Sequence, residues 1–158
     1  MDFSKVFDSL RHATLLSKKA SLPLSVNVYN WIANFLTERV HMTRFDDLVS
    51  GLLDIIASVV QGSAIGPVAY AIAASDLEPL TPGNSMKKFA DDSYIVIPAI
   101  NIGSTEAEMK HIEQWALANN LKLNCNKTLE IVFRRQNTKP SSLPPPIPSI
   151  QRVENIKF

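Results

Sequence analysis

Apolar residues recur at helical spacing over residues 25–39, the second of two helices predicted in the first quarter of the chain. Residues 11–22 predict a helix that ends near Pro23. Residues 25–39 predict a stronger one, opened by Ser25, a residue type favoured at helix N-caps. The second helix carries an apolar stripe made of Val28, Trp31, Ile32, Phe35 and Leu36. We expect this stripe, Trp31 included, to face the core.

Two further helices are predicted in the second half of the chain. Residues 61–67 are typical of a turn that leads into a helix from Val68 to about Leu77. Residues 104–120 form an amphipathic pattern in which Ser104 or Thr105 is followed by acidic residues, the arrangement of a capping box. Trp115 lies on the apolar stripe of this helix, and we expect it to be core.

Strand patterns stand between these helices. Alternation over residues 40–45 predicts a strand, and residues 48–60 are its expected hairpin partner. Residues 87–100 predict a second hairpin with its tip near Asp91 and Asp92. Residues 1–8 read as the end of a strand that runs into a turn, and residues 121–135 predict two short strands around a turn.

This element order predicts an α/β chain of the α+β kind, with an antiparallel sheet and helices packed on one face. Prolines cluster in residues 136–149, which favours an extended, solvated linker. We therefore expect one domain over residues 1–135, the linker over 136–149, and the start of a further β element over 150–158.

Composition narrows the classes of function. The net charge is +1, so any nucleic-acid binding must come from local placement of charge. The single cysteine, Cys125, excludes an internal disulfide and a multi-cysteine metal site, and it fits a reducing, intracellular compartment. We expect no membrane span and no disulfide-linked partner; nucleus and cytoplasm both stay open.

The adjacent carboxylates Asp91 and Asp92 stand inside an otherwise apolar strand pattern. They could lie at a solvated turn, pair with Lys87 or Lys88, or hold a divalent cation. Neighbouring residues of a strand face opposite sides. A metal site would therefore need a carboxylate from a second strand, and Asp2 and Asp8 are the candidates. We prefer Asp2, because Asp8 is well placed to cap the helix that follows.

Four segments resemble, in order, the palm motifs of reverse transcriptases from non-LTR (LINE-type, jockey-like) retrotransposons. They are DFSKVFDSLRH (2–12), SVVQGSAIGP (58–67), FADDSYIVI (89–97) and NNLKLNCNKT (119–128). The resemblance covers most of the chain to about residue 135. It implies a palm-type sheet and an RNA-directed DNA polymerase that copies an RNA template from a DNA primer with dNTPs.

The resemblance also implies roles for single residues. Asp2, Asp91 and Asp92 match the ligands of two Mg²⁺ ions, with Mn²⁺ as a substitute, in two-metal nucleotidyl transfer. Lys127 matches a lysine near the departing pyrophosphate, and these four residues make up the catalytic set.

Four other residues match positions that contact the nucleotide. Phe7 matches the aromatic that blocks a ribose 2′-OH, and Phe3 is assigned to nucleotide binding beside it. Gln61 and Gly62 match the turn that touches the incoming nucleotide and the template, where glycine lets the backbone approach closely. Plainer readings stay open: Phe7 as core, Gln61 and Gly62 as an ordinary turn, and Lys127 as a surface lysine.

The fingers and thumb of the family have no counterpart in these residues. With only Met1 before it, Asp2 is also expected to be frayed and poorly fixed. The alternative function is therefore a catalytically inactive retroelement remnant. An RNA-copying RNA polymerase is disfavoured by Phe7, because such an enzyme must admit a 2′-OH. An unrelated α/β binding domain with an acidic turn is a third reading.

Overall fold

The structure, a computed structural model, describes residues 1–59, 63–89, 92–134 and 143–155. The chain divides into two compact units. The terminal unit contains Met1–Ser4 and Leu77–Phe158, and the internal unit contains Lys5–Asp76. In the part of the chain described, no helix is long and apolar enough to span a membrane.

The internal unit combines helices with a narrow β arm. Its elements are α1 (Val6–Ser9), α2 (His12–Ala20), α3 (Val26–Leu36), β2 (Val40–His41), β3 (Arg44–Phe45), β4 (Leu48–Val49), β5 (Leu53–Asp54) and α4 (Ile65–Ala73). Strand β2 pairs with β5 and β3 with β4, all antiparallel. The predicted hairpin is therefore confirmed, with each of its two arms split into two short strands.

Helix α3 begins as predicted but buries a narrower stripe. The Ser25 Oγ accepts a hydrogen bond from the Val28 N–H at 3.4 Å, as expected of an N-cap. Ile32 and Leu36 are buried, one turn apart, in the core of this unit. The prediction that Trp31 is core was wrong: it is 60% exposed and stacks on Phe35 with the ring centroids 6.0 Å apart. Successive helix residues point about 100° apart, so burial of Ile32 turns Trp31 outward.

Helix α4 begins three residues before the predicted start and ends at Ala73 rather than near Leu77. Pro67 allows the earlier start, because the N–H groups of a first helical turn have no acceptor within the helix. The backbone N–H of Ala74 donates to the backbone carbonyl oxygen of Tyr70 at 2.8 Å, which closes the last turn.

The terminal unit carries the remaining elements. They are β1 (Phe3–Ser4), β6 (Ser85–Phe89), β7 (Asp92–Val96), a 3-10 turn (Ala99–Ser104), α5 (Thr105–Ala118), β8 (Lys122–Leu123), β9 (Leu129–Ile131) and β10 (Gln151–Val153). Strands β6 and β7 form the predicted hairpin, and Phe89 opposite Asp92 is its last described pair. The two short strands predicted over 121–135 are also present, although β8 pairs with β1 and β9 pairs with β10.

Helix α5 packs as predicted, but its N-terminus differs. Trp115 is buried, and its ring lies 5.7 Å from that of Phe3, which confirms it as core. The capping box was wrong, because the Ser104 and Thr105 hydroxyls donate to the carbonyls of residues 101 and 102. Glu108 instead accepts hydrogen bonds from the loop before β6.

The described strands form five two-stranded sheets, of which only β9–β10 is parallel. A mixed α+β chain with small antiparallel sheets is thereby confirmed, whereas the palm arrangement stays a prediction. The boundaries at 1–135, 136–149 and 150–158 also stay predictions, because residues 135–142 lie outside the described part. Within the described remainder of the proline-rich segment, the Pro144 and Pro145 carbonyls accept hydrogen bonds from Arg152.

Candidate active site

The terminal unit brings Asp2 and Asp92 together. The Met1 amino group donates to the backbone carbonyl oxygen of Ser93 at 2.7 Å, and the Ser93 N–H donates back to the Met1 carbonyl oxygen at 3.3 Å. Two residues that exchange both bonds form an antiparallel hydrogen-bonded pair. Asp2 follows Met1 and Asp92 precedes Ser93, so the antiparallel pairing makes these two residues, far apart in sequence, neighbours.

The electrostatics of Met1 agree with this placement. Burial lowers the pKa of the Met1 amino group below its ordinary value, while the negative charges of Asp92 and Asp2 act in the opposite direction. Both carboxylates therefore lie close enough to the Met1 amino group to interact with its charge.

Asp2 is held at three atoms. Its N–H donates to Thr128 Oγ1 at 3.3 Å, and its carbonyl oxygen accepts from the Asn124 N–H at 2.9 Å. The Asn124 side chain donates from Nδ2 to the carboxylate Oδ2 at 3.0 Å. The expectation that Asp2 is poorly fixed was wrong, because these bonds tie both its backbone and its side chain to the turn before β9.

Asp92 opens strand β7 with an exposed side chain, and the next residue points inward. Ser93 is fully buried, and its Oγ has no hydrogen-bond partner among the described residues. This alternation is that of a strand, so Asp92 and Ser93 face opposite sides of β7.

Lys127 lies on the same turn as Asn124, where its N–H donates to the Asn124 oxygen at 3.1 Å and its side chain is exposed. Phe3 is 3% exposed and packs on Trp115, so its ring belongs to the core of the terminal unit. Asp91 lies outside the described residues.

Phe7 belongs to the internal unit and is half-buried. Its oxygen accepts from the Val59 N–H at 2.7 Å, and a methyl group added at Gly66 would lie 3.6 Å from its ring. The ring therefore lies along the first turn of α4. Gln61 and Gly62 lie outside the described residues.

Asp2 and Asp92 are the two described carboxylates that a divalent cation could share. In the described part of the chain, no three His, Cys, Asp or Glu side chains are grouped so as to hold a metal. Mg²⁺ prefers oxygen ligands, however, and is commonly bound by one or two carboxylates together with substrate phosphates. Asp2 and Asp92 supply that number of carboxylates without a third ligand.

Asn124 and Thr128 are the residues that the sequence argument missed. Both stand in the segment NNLKLNCNKT, from which only Lys127 was selected. An Asn four residues before a Thr is an ordinary turn pattern. Only the pairing of β1 with β8 reveals that this turn faces Asp2.

Residues 1–157 match the family described as reverse transcriptase (RNA-dependent DNA polymerase). The chain belongs to this family.

Two similar proteins carry a more specific description. Both are described as RNA-directed DNA polymerase from mobile element jockey; the one from Drosophila melanogaster is 28% identical over 144 residues, and the one from Drosophila funebris is 27% identical over 144 residues. Each alignment covers 84% of this chain and 16% of the relative. The chain thus spans about a sixth of their length, and the resemblance to a mobile-element reverse transcriptase is confirmed.

Proposed function

We propose that this chain is the palm part of an RNA-directed DNA polymerase from a non-LTR retrotransposon, working inside the cell. The observation that carries the proposal is the bond exchange between Met1 and Ser93, which sets Asp2 beside Asp92. Family membership supports nucleotidyl transfer as the chemistry for which a carboxylate pair is needed. RNA template, DNA primer and dNTPs are the proposed partners.

Asp2, Asp91 and Asp92 would hold two Mg²⁺ ions, or Mn²⁺ in their place. When bound, such ions activate the attacking primer hydroxyl and stabilise the leaving pyrophosphate. Asp2 suits this role because its carboxylate is already oriented by Asn124, so little side-chain freedom is left to lose on binding.

Lys127 and Phe7 act on other parts of the substrate. The exposed ammonium of Lys127 is available to neutralise or protonate the departing pyrophosphate. Phe7 would bar a ribose 2′-OH by occupying the space beneath the sugar. Its half-buried ring lies along α4, which leaves part of the ring surface for such a contact. Gln61 and Gly62 would contact the nucleotide and template, and Phe3, a residue of β1, would support that strand through its packing on Trp115.

Mn²⁺ binding tests the carboxylate site directly. Electron paramagnetic resonance of Mn²⁺ titrated into the purified chain is expected to show a site that Asp2→Asn and Asp92→Asn both weaken. Asp47→Asn, which changes an exposed acid of the internal unit, is the matched control and should bind as the wild type does. Equal binding by all four proteins would refute the proposed metal site.

Primer extension then tests the activity. With an RNA template, a DNA primer, dNTPs and Mg²⁺ or Mn²⁺, extension that is lost in Asp92→Asn but kept in Asp47→Asn would show a working polymerase. If the folded chain binds Mn²⁺ but extends no primer, the inactive-remnant alternative is favoured for this chain.

Sugar selection separates a DNA polymerase from an RNA polymerase. Phe7→Ala in a complete enzyme should raise ribonucleotide incorporation, because the smaller side chain frees space for the 2′-OH. Unchanged sugar selectivity would refute the role of Phe7 as the gate.

A further inference from the structure

We propose that Asn124 is a positioning residue for Asp2 and that its turn couples Asp2 to Lys127. The proposal rests on the function proposed above, in which Asp2 is a metal ligand. Asn124 contacts Asp2 twice. Its backbone N–H donates to the backbone carbonyl oxygen of Asp2 at 2.9 Å, and its side-chain Nδ2 donates to the carboxylate Oδ2 of Asp2 at 3.0 Å.

The two bonds constrain both the main chain and the side chain of Asp2. The backbone bond fixes where the Asp2 main chain runs, and the side-chain bond fixes the rotation of the carboxylate. A neutral amide donor achieves this without placing a positive charge beside the carboxylate that would compete with a cation. Groups that hydrogen-bond to a metal ligand in this way orient it and tune its affinity.

The same residue organises the turn that carries Lys127. The backbone carbonyl oxygen of Asn124 accepts hydrogen bonds from the N–H groups of Lys127 and Thr128, at 3.1 and 2.9 Å. Thr128 is 2% exposed, and its Oγ1 accepts from the Asp2 N–H at 3.3 Å. One turn therefore positions both the proposed metal ligand and the lysine proposed to meet the pyrophosphate.

Mn²⁺ binding to Asn124 variants of this chain tests the proposal. Asn124→Ala removes the side-chain donor and should raise the Mn²⁺ dissociation constant by about 10-fold or more, the usual effect of losing a group that orients a ligand. The spectrum of the bound ion should also change, because the carboxylate can rotate. Asn126→Ala, an exposed asparagine two residues along the same turn, is the matched control and should bind as the wild type does.

A structural role alone makes a different prediction. If Asn124→Ala lowers the thermal midpoint measured in EDTA but leaves the Mn²⁺ affinity and spectrum of the folded protein unchanged, the positioning role is refuted. Asn124→Ser serves if the alanine variant does not fold, since serine suits turns but its shorter side chain should not reach Asp2 Oδ2. It should show the same loss of affinity.

Asp2→Asn separates this inference from the proposed function. If Asp2→Asn weakens Mn²⁺ binding while both Asn124 variants bind normally, the metal site stands and the positioning role fails. If Asp2→Asn has no effect either, the proposed metal site itself fails. Parallel loss in Asp2→Asn and Asn124→Ala supports both.

Discussion

Glu108 ties helix α5 to the loop that leads into the acidic hairpin, and its replacement by glutamine should loosen that loop. The side chain is fully buried. Its Oε2 accepts from the Leu80 N–H at 3.0 Å, and its Oε1 accepts from the Thr81 N–H and from Asn84 Nδ2, both at 2.8 Å. Strand β6 begins one residue after Asn84, so this carboxylate sets where the hairpin starts.

The cost of Glu108→Gln follows from which bonds survive. The glutamine oxygen can keep the place of Oε1 and both of its donors. The new NH₂ group then meets the Leu80 N–H, so one donor loses its acceptor, at a cost of about 1–3 kcal/mol. The bond between the Leu80 N–H and Glu108 is only partly buried, which puts the expected loss near the lower end, about 1 kcal/mol.

Urea unfolding followed by tryptophan fluorescence measures this loss. Trp115 is buried on the same helix as Glu108, whereas Trp31 is already 60% exposed, so the emission change should report mainly on the terminal unit. A lower midpoint with an unchanged slope gives the difference in the free energy of unfolding. Glu106→Gln, an exposed glutamate in the first turn of the same helix, is the matched control and should lower the midpoint less, because it loses only its interaction with the helix dipole.

The pH dependence has a definite sign. Burial alone raises the pKa of Glu108. The hydrogen bonds from Leu80, Thr81 and Asn84 together lower it by more, so the pKa of Glu108 lies below its ordinary value of 4.5. The carboxylate therefore stabilises the fold fully above about pH 4.5 and loses this contribution as the pH falls through the folded-state pKa. Glu108→Gln should flatten that acid limb. A wild-type limb retained in the variant, or a midpoint no lower than that of Glu106→Gln, would refute the reasoning.

Three other side chains give further predictions. Burial lowers the pKa of Lys19, so the free energy of unfolding should rise as the pH approaches the ordinary lysine value of 10.5, and Lys19→Met should remove that rise in a pH series of urea unfolding. Ser93→Ala removes a buried hydroxyl with no partner among the described residues, so thermal unfolding should show unchanged or slightly higher stability; a loss above about 1 kcal/mol would contradict this. Arg152→Lys should speed limited proteolysis of residues 143–153, because Arg152 binds both carboxylate oxygens of Glu130 at 2.7 and 2.9 Å and lysine cannot reproduce that fork.

Local patterns predicted most of the helices and strands, and the errors come from tertiary packing. Periodicity identified α3 and α5, because each buries apolar residues at helical spacing. Helix α2 was also predicted, although the residues that it buries are His12, Leu15 and Lys19. Periodicity placed Trp31 in the core, since the width of a stripe depends on which neighbours pack against it. It also assigned acidic residues of α5 to a cap, because a buried Glu108 that binds a distant loop leaves no local signal.

The site could be predicted as a set of residue types but not as an arrangement. Asp2 and Asp92 were selected through motif resemblance, and the structure places them as neighbours. Asn124 was not selected, because its role depends on the pairing of β1 with β8, which no local pattern encodes. Long-range pairing of short strands is the part of a fold that sequence periodicity describes least, since strands of two residues have almost no pattern of their own.

The alternation of a strand explains why an adjacent acidic pair needs help from elsewhere in the chain. Asp92 is exposed and Ser93 is buried, so within the described part of β7 the Asp92 carboxylate stands on one side of the strand only. The main chain of Ser93 binds Met1, which brings the next residue, Asp2, beside Asp92. Asn124, which follows β8 in the chain, then holds the Asp2 carboxylate through its side-chain amide. These few bonds join three separate segments of the chain, and the Asn124 and Glu108 variants test two of the anchors of this arrangement.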